Sequence, residues 1–256
     1  MRFDVISLFP DFYTSPLQSG LIGKALDKGI AQVQVTNPRD FTHDKHRKVD
    51  DDPYGGGAGM VMKVAPVVEA VESLPVLSPR QVLLLTPQGQ PMTQAQFHRW
   101  SRCAQLVLIC GHYEGIDERV TQIVTQEVSL GDFVLTTGDI PALTLLNGVI
   151  RLLPGTVGKV ASLQHDSFED GLLDYPHYTR PEAFRGQPVP AVLRSGDHGA
   201  IARWRRAQQI ERTQQRRPDL YDRWQRLQTE PTLEDPGPPA DTLAGPTHSS
   251  EHPAVD

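Results

Sequence analysis

The residues best suited to binding chemistry are concentrated in three short loops, each of which follows an apolar stretch. The loops are Thr86–Gly89 (TPQG), Gly111–Gly115 (GHYEG) and Gly131–Gly138 (GDFVLTTG). Ligands of open α/β sheets bind outside the carboxyl ends of the strands, where such loops gather. Small residues, backbone amides and an occasional aromatic or acidic side chain suit an adenosine-containing ligand. We therefore expect these loops to form a ligand site.

An arginine lies on a helix that is otherwise apolar. The stretch Pro141–Leu153 predicts a helix with aliphatic side chains nearly all round, which should be buried or lie at a subunit interface. Its polar exceptions share one stripe and are Thr144, Asn147, Gly148 and Arg151. An arginine on a buried helix needs a negative partner. Arg151 therefore either pairs with a carboxylate of the protein or belongs to a site that handles anionic charge.

The segment Asp50–Met60 (DDDPYGGGAGM) is rich in glycine, which permits positive φ angles and close backbone approach. It is not a phosphate loop, because Gly59 is followed by MVMK and not by Lys-Ser or Lys-Thr. It also lacks the spacing of a dinucleotide fingerprint. Two interpretations stay open, a mobile loop that faces a substrate and a flexible turn.

The histidines and cysteines do not form a recognisable metal site. Cys103 and Cys110 lack the partners of a zinc cluster, and His43 and His46 have no third and fourth ligand at suitable spacing. We interpret the two histidines as part of one basic loop that also contains Lys45, Arg47 and Lys48. We predict no metal ligands.

The elements that must position these residues alternate in type up to about residue 155. Strands are predicted at Phe3–Leu8, Ala31–Thr36, Gln81–Thr86, Gln105–Cys110 and Phe133–Thr136. Helices are predicted near Leu17–Lys28, Val64–Ser73, Thr93–Arg102 and Pro141–Leu153. This alternation predicts an α/β fold with a parallel or mostly parallel sheet.

Charge is distributed unevenly along the chain. The net charge of −6 arises in residues 230–256, which hold six of the 31 acids and no lysine or arginine, leaving 25 acids against 25 bases elsewhere. Residues 194–228 carry nine arginines against four acids, with Trp204 and Trp224 interleaved. This stretch is either a solvated helical face or a surface for a phosphate backbone.

These patterns divide the chain into four segments. We predict a ligand-binding α/β domain over 1–157, a linker over 158–171, a small helical domain over 172–229 and a disordered, acidic, proline-rich tail over 230–256. His177 is expected to pack within the helical domain. The first ten residues indicate a strand and not a signal peptide, and no apolar run is long enough to span a bilayer. The low cysteine content fits a reducing cytoplasm.

Six motifs in one order carry a family resemblance. They are DPYGGGAGM, TPQG, CGHYEGIDER, SLGDFVL, HDSF and LLDYPHYTRP. Residues 1 to about 228 closely resemble the bacterial tRNA (guanine-N1)-methyltransferase family of the SPOUT superfamily. The resemblance implies an α/β domain with a deep trefoil knot, a homodimer with its active site at the interface, and S-adenosylmethionine as methyl donor. It also implies a tRNA anticodon arm as substrate, the guanosine 3′ of the anticodon as target, and a magnesium requirement.

The same resemblance implies roles for individual residues. Asp166 corresponds to the general base and Arg151 to the arginine that assists it. Gly59, Tyr113 and Glu114 would lie beside the target base, and Arg203, Arg205 and Arg206 would bind the anticodon arm. With RNA as substrate, the basic loop around His43 and His46 is predicted to face it. The donor would be held by Leu84, Leu85, Thr86, Pro87, Gly111, Tyr113, Glu114, Ser129, Leu130, Gly131, Asp132, Phe133, Val134, Leu135, Thr137, Gly138 and Pro141.

Methylation at guanine N1 requires the two catalytic groups that the resemblance implies. N1 carries a proton at neutral pH, so a base must remove it while negative charge builds on O6. A carboxylate with a pKa near ~3.9 is a weak base, and burial that raises this pKa would help. An arginine near O6 would offset the developing charge. Local sequence alone favours a helix cap for Asp166, because Asp-Ser after a linker is a good capping sequence.

Two positions depart from the family pattern. This chain has TTGD at 136–139 where SGGE is common, and His165 where glutamate often precedes the catalytic aspartate. The first departure bears on how tightly the loop follows the donor.

Two rival functions stay open. They are a SPOUT methyltransferase with another RNA target and a non-catalytic RNA-binding protein of the same fold. Retention of both Asp166 and Arg151 disfavours the second.

Overall fold

The structure, a computed structural model, describes residues 1–158 and 166–229. These residues fall into two units, an α/β unit over 1–158 and a mostly helical unit over 166–229. The predicted tail over 230–256 and His165 lie outside the described residues. Within the described part of the chain, no helix is both long enough and apolar enough to cross a membrane.

A five-stranded sheet organises the first unit. Its strands are β1 (Arg2–Ile6), β2 (Gln32–Thr36), β5 (Arg80–Pro91), β6 (Gln105–Cys110) and β7 (Gln126–Ser129). They lie in the order β2-β1-β6-β5-β7, and every neighbouring pair is parallel. The predicted α/β class with a mostly parallel sheet is therefore confirmed. Two further strands, β3 (Asp50–Asp51) and β4 (Val61–Met62), pair antiparallel on either side of the glycine-rich loop.

Five α-helices belong to this unit. They are α1 (Thr14–Gln18), α2 (Gly20–Asp27), α3 (Val64–Glu72), α4 (Gln94–Trp100) and α5 (Asp139–Ile150). Short 3-10 helices cover Pro10–Tyr13, Pro38–Phe41 and Glu118–Ile123. Helix α4 starts with a capping box, in which Thr93 accepts the Gln96 amide and Gln96 accepts the Thr93 amide.

Alternate side chains of the central strands feed two separate hydrophobic clusters. Leu83 and Leu85 of β5 pack in a cluster with Leu145 of α5, whereas Val82 and Leu84 belong to the opposite cluster, which includes residues of α3. This is the period-two pattern of a sheet that is covered on both faces. Burial on both faces explains why β6 is apolar from Leu106 to Cys110, after the buried Gln105. The strand has the bounds that its sequence predicts.

The strand predicted over Phe133–Thr136 is wrong. These residues form no strand, and Phe133, Val134 and Leu135 are exposed, with Val134 at 84%. The fifth strand is instead β7, which begins with the polar pair Gln126 and Glu127. Its pairing comes from the ladder with β5, and only its last two residues are buried. Local hydrophobicity therefore predicted a strand in the exposed loop 133–136 and gave no signal for β7.

The helix predicted over Leu17–Lys28 is broken. Ser19 adopts an extended conformation and Gly20 has a φ of 59°, so the chain forms α1 and α2 in its place. The apolar helix predicted over Pro141–Leu153 is confirmed as α5, shifted towards the N-terminus, and its aliphatic residues are buried except Ile140, which is exposed, and Leu143, which is half-buried. Asn147 of its polar stripe is exposed.

The second unit is built around two helices, α6 (His198–Arg216) and α7 (Pro218–Thr229). The Asp197 side chain caps α6 by accepting the Ala200 amide at 2.9 Å. Two-residue strands, β8 (Ala183–Phe184) and β9 (Gln187–Pro188), form a small hairpin, and Ala191–Arg194 is a 3-10 helix. The prediction that His177 packs inside this unit is wrong. Its side chain is 68% exposed and bonds the Asp174 carboxylate at 2.7 Å.

The pairing of the second half of β5 with β7 requires glycine at position 89. The register between β5 and β7 shifts between Leu85 and Gln90, and a Cβ on Gly89 would lie 2.2 Å from the Val128 backbone nitrogen. We expect Gly89→Ala to lower the free energy of unfolding by about 1–3 kcal/mol, because the added methyl must force two paired strands apart. Urea denaturation measures this loss.

Gly158→Ala is the matched control, since a Cβ there meets no atom within 4 Å. It should leave the unfolding midpoint unchanged. Equal free energies of unfolding for the Gly89→Ala variant and the unsubstituted chain would contradict the close approach of β5 to β7 at Gly89.

Candidate active site

A cavity of about 400 Å³ lies at the carboxyl edge of the parallel sheet, beyond the ends of β6 and β7. Three segments form most of its wall, 84–88, 111–118 and 127–138. They include the three segments that the sequence singled out, apart from Gly89 and Asp132. The prediction of a loop over Thr86–Gly89 is wrong, because these residues continue β5 through its register shift against β7. The cavity falls within the size range of small-molecule sites, and its position is the one at which α/β sheets bind ligands.

The structure brings together all the residues that the resemblance assigned to donor binding except Asp132, which does not line the cavity. Four further lining residues, Gln88, His112, Gly115 and Thr136, belong to the segments expected to form the ligand site, although no individual role was predicted for them. The lining residues outside those segments and outside the predicted donor site are Ile116, Asp117, Glu118, Thr121, Glu127 and Val128. Asp117 and Glu118 belong to the CGHYEGIDER motif, so extending the site along that motif would have found them. Glu127 had no such signal, because β7 was not predicted.

The last residues of the 131–138 loop cross directly over the end of β6. The Gly138 amide donates to the Gly111 carbonyl at 2.8 Å, and Thr137 forms an isolated antiparallel bridge with His112. A Cβ on Gly138 would lie 2.8 Å from Cα of Cys110. Because real Cβ atoms do not approach backbone so closely, this crossing requires glycine at position 138.

The outer part of the same loop presents apolar side chains to the cavity and to solvent. Ser129 makes the entry turn, since its hydroxyl accepts the Gly131 amide at 3.1 Å and donates to the Gly131 carbonyl at 3.0 Å. Phe133, Val134 and Leu135 follow and are exposed although they are large and hydrophobic. Exposed apolar side chains around a concave site are typical of ligand or subunit contacts.

The 112–118 segment forms the opposite wall and carries aromatic and acidic groups. Tyr113 has a φ of 59°, an uncommon conformation for a residue with a side chain, and its ring lies 5.3 Å from that of His112. The His112 ring also lies 5.0 Å from Phe9. A hydrogen bond from the neighbouring Arg119 guanidinium lowers the pKa of Asp117, so this carboxylate is ionised at neutral pH.

The end of the glycine-rich loop lies against this wall. The Glu114 amide donates to the Met60 carbonyl at 3.1 Å, and a Cβ on Gly59 would lie 2.4 Å from Cγ of Glu114. Gly59 also has a φ of 82°. The three residues that the resemblance placed beside the target base, Gly59, Tyr113 and Glu114, are therefore neighbours. Tyr54, near the start of the loop, is fully exposed.

Arg151 and Asp166 occupy different units. Arg151 ends α5 in the first unit, where its amide donates to the Asn147 carbonyl at 3.3 Å, and it is half-buried. Asp166 is half-buried in a turn of the second unit, and its carbonyl accepts the Glu169 amide at 3.3 Å. No helix in the described ranges starts at Asp166, so the structure gives no support to a capping role there.

The arginines of α6 are partly engaged within the second unit. The Arg205 guanidinium lies 4.7 Å from the centre of the Tyr175 ring, and Arg206 lies 5.4 Å from that of Trp224. Arg206 also pairs with Asp170. Arg203 and Arg205 are exposed. Stacked and exposed guanidinium groups of this kind suit phosphate and base contacts.

The loop predicted to face RNA is exposed and basic. His43 bonds the Glu69 carboxylate at 2.9 Å, and Arg47 pairs with Asp40. Lys45 and Lys48 are exposed. Among the described residues, no group of three or more histidine, cysteine, aspartate or glutamate side chains could hold a metal ion.

Comparison with known proteins agrees with this arrangement. The family model described as tRNA (Guanine-1)-methyltransferase TrmD matches residues 1–223. A tRNA (guanine-N(1)-)-methyltransferase from Synechocystis sp. is 71% identical over 231 residues, which cover 90% of this chain and 100% of the relative. Relatives with the same name from Thermosynechococcus vestitus and Synechococcus elongatus are 70% and 67% identical, over 88% and 90% of this chain and 95% and 98% of their own lengths. The chain therefore belongs to the tRNA (guanine-N1)-methyltransferase family.

Proposed function

We propose that this protein transfers a methyl group from S-adenosylmethionine to N1 of the tRNA guanosine that lies 3′ of the anticodon. The observation that carries the proposal is the cavity at the carboxyl edge of the sheet, closed on one side by the crossing of Gly138 over Gly111. The family of the chain supports the reaction and the tRNA substrate. A tRNA substrate in turn supports a cytoplasmic location.

The donor is assigned to this cavity on the chemistry of its wall. Backbone amides and carbonyls of the segments around Thr86, Gly111 and Gly131 suit the polar edge of an adenine and the hydroxyls of a ribose. The apolar side chains of Leu85 and Leu135 suit the faces of the base. Bound S-adenosylmethionine supplies a methyl group that its sulfonium already makes electrophilic.

The close crossing also supports a knotted backbone. In our proposal the 131–138 segment is part of the deep trefoil knot of the SPOUT fold. The short distance between Gly138 and Cys110, which leaves no room for a side chain, is what such a tightly drawn crossing requires. We further propose that the chain acts as a homodimer with its active site at the interface, for which the exposed apolar side chains of Phe133 and Val134 are suitable.

The remaining chemistry concerns the acceptor. We assign Asp166 as the base that removes the N1 proton while the bond to the methyl carbon forms. We assign Arg151 to O6, where its guanidinium offsets the negative charge that builds there. Tyr113 and Glu114 line the cavity and Gly59 lies against Glu114, and all three are assigned to the target base. No step is assigned to magnesium, since the described residues offer no ligand cluster for it.

The tRNA anticodon arm is assigned to the second unit. The nine arginines of residues 194–228 outnumber the four acids there, which favours a phosphate backbone as partner. Arg203 and Arg205 are exposed on α6 and are the first candidates for direct contact, whereas Arg206 is engaged with Asp170 and Trp224. Arg206 is therefore better suited to stabilising the arginine-rich surface than to contacting the RNA directly.

Methyl transfer to defined transcripts tests the proposed function. The full chain is incubated with S-adenosylmethionine labelled on the methyl group and an unmodified tRNA transcript with two guanosines at the 3′ edge of the anticodon. A matched transcript carries adenosine at the target position. We expect label on the first transcript alone, at guanine N1.

Each other outcome has a defined meaning. Label on both transcripts would support methyltransferase activity but show that the target is another nucleotide. The protein would then be a related methyltransferase with another RNA target. No label on either, together with no binding of the donor, would overturn the proposal in favour of a non-catalytic RNA-binding protein.

The roles of the catalytic pair are tested by Asp166→Asn. The amide is nearly the size of the carboxylate but cannot take up the N1 proton, so turnover should be abolished while donor and tRNA affinities change less than about threefold. Arg151→Ala should lower kcat by about 10²–10³ and spare donor binding, because the charge on O6 loses its partner. Single-turnover assays and calorimetric titrations provide the measurements. Undiminished turnover by Asp166→Asn would show that another group is the base.

A further inference from the structure

A buried carboxylate lies directly behind the cavity-lining loop. Asp139 is the first residue of α5 and is only 1% exposed. It accepts a hydrogen bond from the Tyr13 hydroxyl at 2.7 Å and another from the Thr137 hydroxyl. The Asp139 amide in turn donates to the Thr137 hydroxyl oxygen at 3.1 Å. A carboxylate is costly to bury unless such donors satisfy it, so these bonds are a condition for the local structure.

Tyr13 reaches this carboxylate from a distant part of the chain. It ends the 3-10 helix Pro10–Tyr13, its side chain is 1% exposed, and its hydroxyl also lies 3.4 Å from Sγ of Cys110. Burial raises the pKa of the Tyr13 phenol, and the neighbouring Cys110 and Asp139 raise it further. Burial likewise raises the pKa of the Cys110 thiol. Both groups keep their protons at neutral pH, so the phenol is available to donate to Asp139.

The three buried groups meet where the loop crosses the sheet. Cys110 is the last residue of β6 and precedes Gly111, whose carbonyl accepts the Gly138 amide. Asp139 follows Gly138 directly. None of Tyr13, Cys110 and Asp139 lines the cavity, whereas Gly111, Thr137 and Gly138 do. The buried groups therefore affect the cavity indirectly, through the positions of Gly111, Thr137 and Gly138.

We infer that Tyr13 and Asp139 are positioning residues for the methyl donor, which fix the 131–138 loop against the end of β6 through Thr137 and Gly138. The donor affinity then depends on a hydroxyl that never contacts the donor. This inference rests on the proposed function for the identity of the ligand, but the hydrogen bonds that carry it are independent of any ligand.

The structure also explains why the pair would act on the donor and not on the chemical step. Thr137, Gly138 and Pro141 line the cavity that we assign to the donor. The acceptor is assigned to other residues, Asp166 and Arg151. Loosening the loop should therefore raise the KM for S-adenosylmethionine and leave kcat and the KM for tRNA nearly unchanged.

Tyr13→Phe tests the inference in the full chain. The substitution keeps the ring in the core and deletes only the hydroxyl, so Asp139 loses one of its two side-chain donors. We expect the KM for S-adenosylmethionine to rise about tenfold, the effect of losing one hydrogen bond to a charged group. Amide hydrogen exchange without ligand should also accelerate at Gly138 and Asp139, whose amides bond Gly111 and Thr137.

Thr125→Val is the matched control, because it also removes one hydroxyl from the same sheet. Thr125 Oγ1 accepts the Val82 amide at 2.9 Å at the start of β7, away from the carboxyl edge. This variant should leave the donor KM and the Gly138 exchange rate at their unsubstituted values, whatever its melting temperature. A merely structural role for Tyr13 would give the two variants the same pattern.

An unchanged donor KM with unchanged Gly138 exchange in Tyr13→Phe would overturn the inference. So would a loss confined to kcat. An unsubstituted chain that transfers no methyl group would instead overturn the proposed function, and the exchange rates alone would then decide whether the pair holds the loop.

Discussion

The contact between Gly138 and the end of β6 is the constraint on which the rest of the site depends. The chain passes so close to Cys110 and Gly111 that only a glycine fits at the crossing, and the Gly138 amide closes it with a hydrogen bond to Gly111. Helix α5 begins at the next residue, so the same crossing sets where that helix packs. The cavity exists because the loop leaves β7, bends outward and returns to this one point.

The sheet provides the fixed end of this arrangement. Strand β6 is buried along its whole length between two hydrophobic clusters, which gives its last residue little freedom to move. The loop has no such cover, since Phe133 and Val134 are exposed. Its return is held by polar contacts instead, since the hydroxyls of Thr137 and Tyr13 both donate to the Asp139 carboxylate. A rigid apolar edge and a short polar clamp together define one side of a ligand site.

The sequence predicted the parts of this design that are local. Buried parallel strands are unbroken apolar runs, so β6 was found with its correct bounds, whereas the apolar run at Phe133–Thr136 was mistaken for a strand because hydrophobicity does not distinguish an exposed loop wall from a core. The cavity wall was anticipated through the family motifs. The contact between Tyr13 and Asp139 joins residues 126 positions apart and has no local signal, so only the folded chain reveals it.

The proposed donor site can be tested by a crystal structure of the full chain with S-adenosylhomocysteine. This unreactive product keeps the adenosine that the three cavity-lining segments are proposed to bind. We expect its density in the cavity at the carboxyl edge, in contact with the backbone of Gly111 and Gly131 and beside Leu135. Density at any other place on the chain, or an empty cavity at a saturating concentration of the ligand, would contradict it.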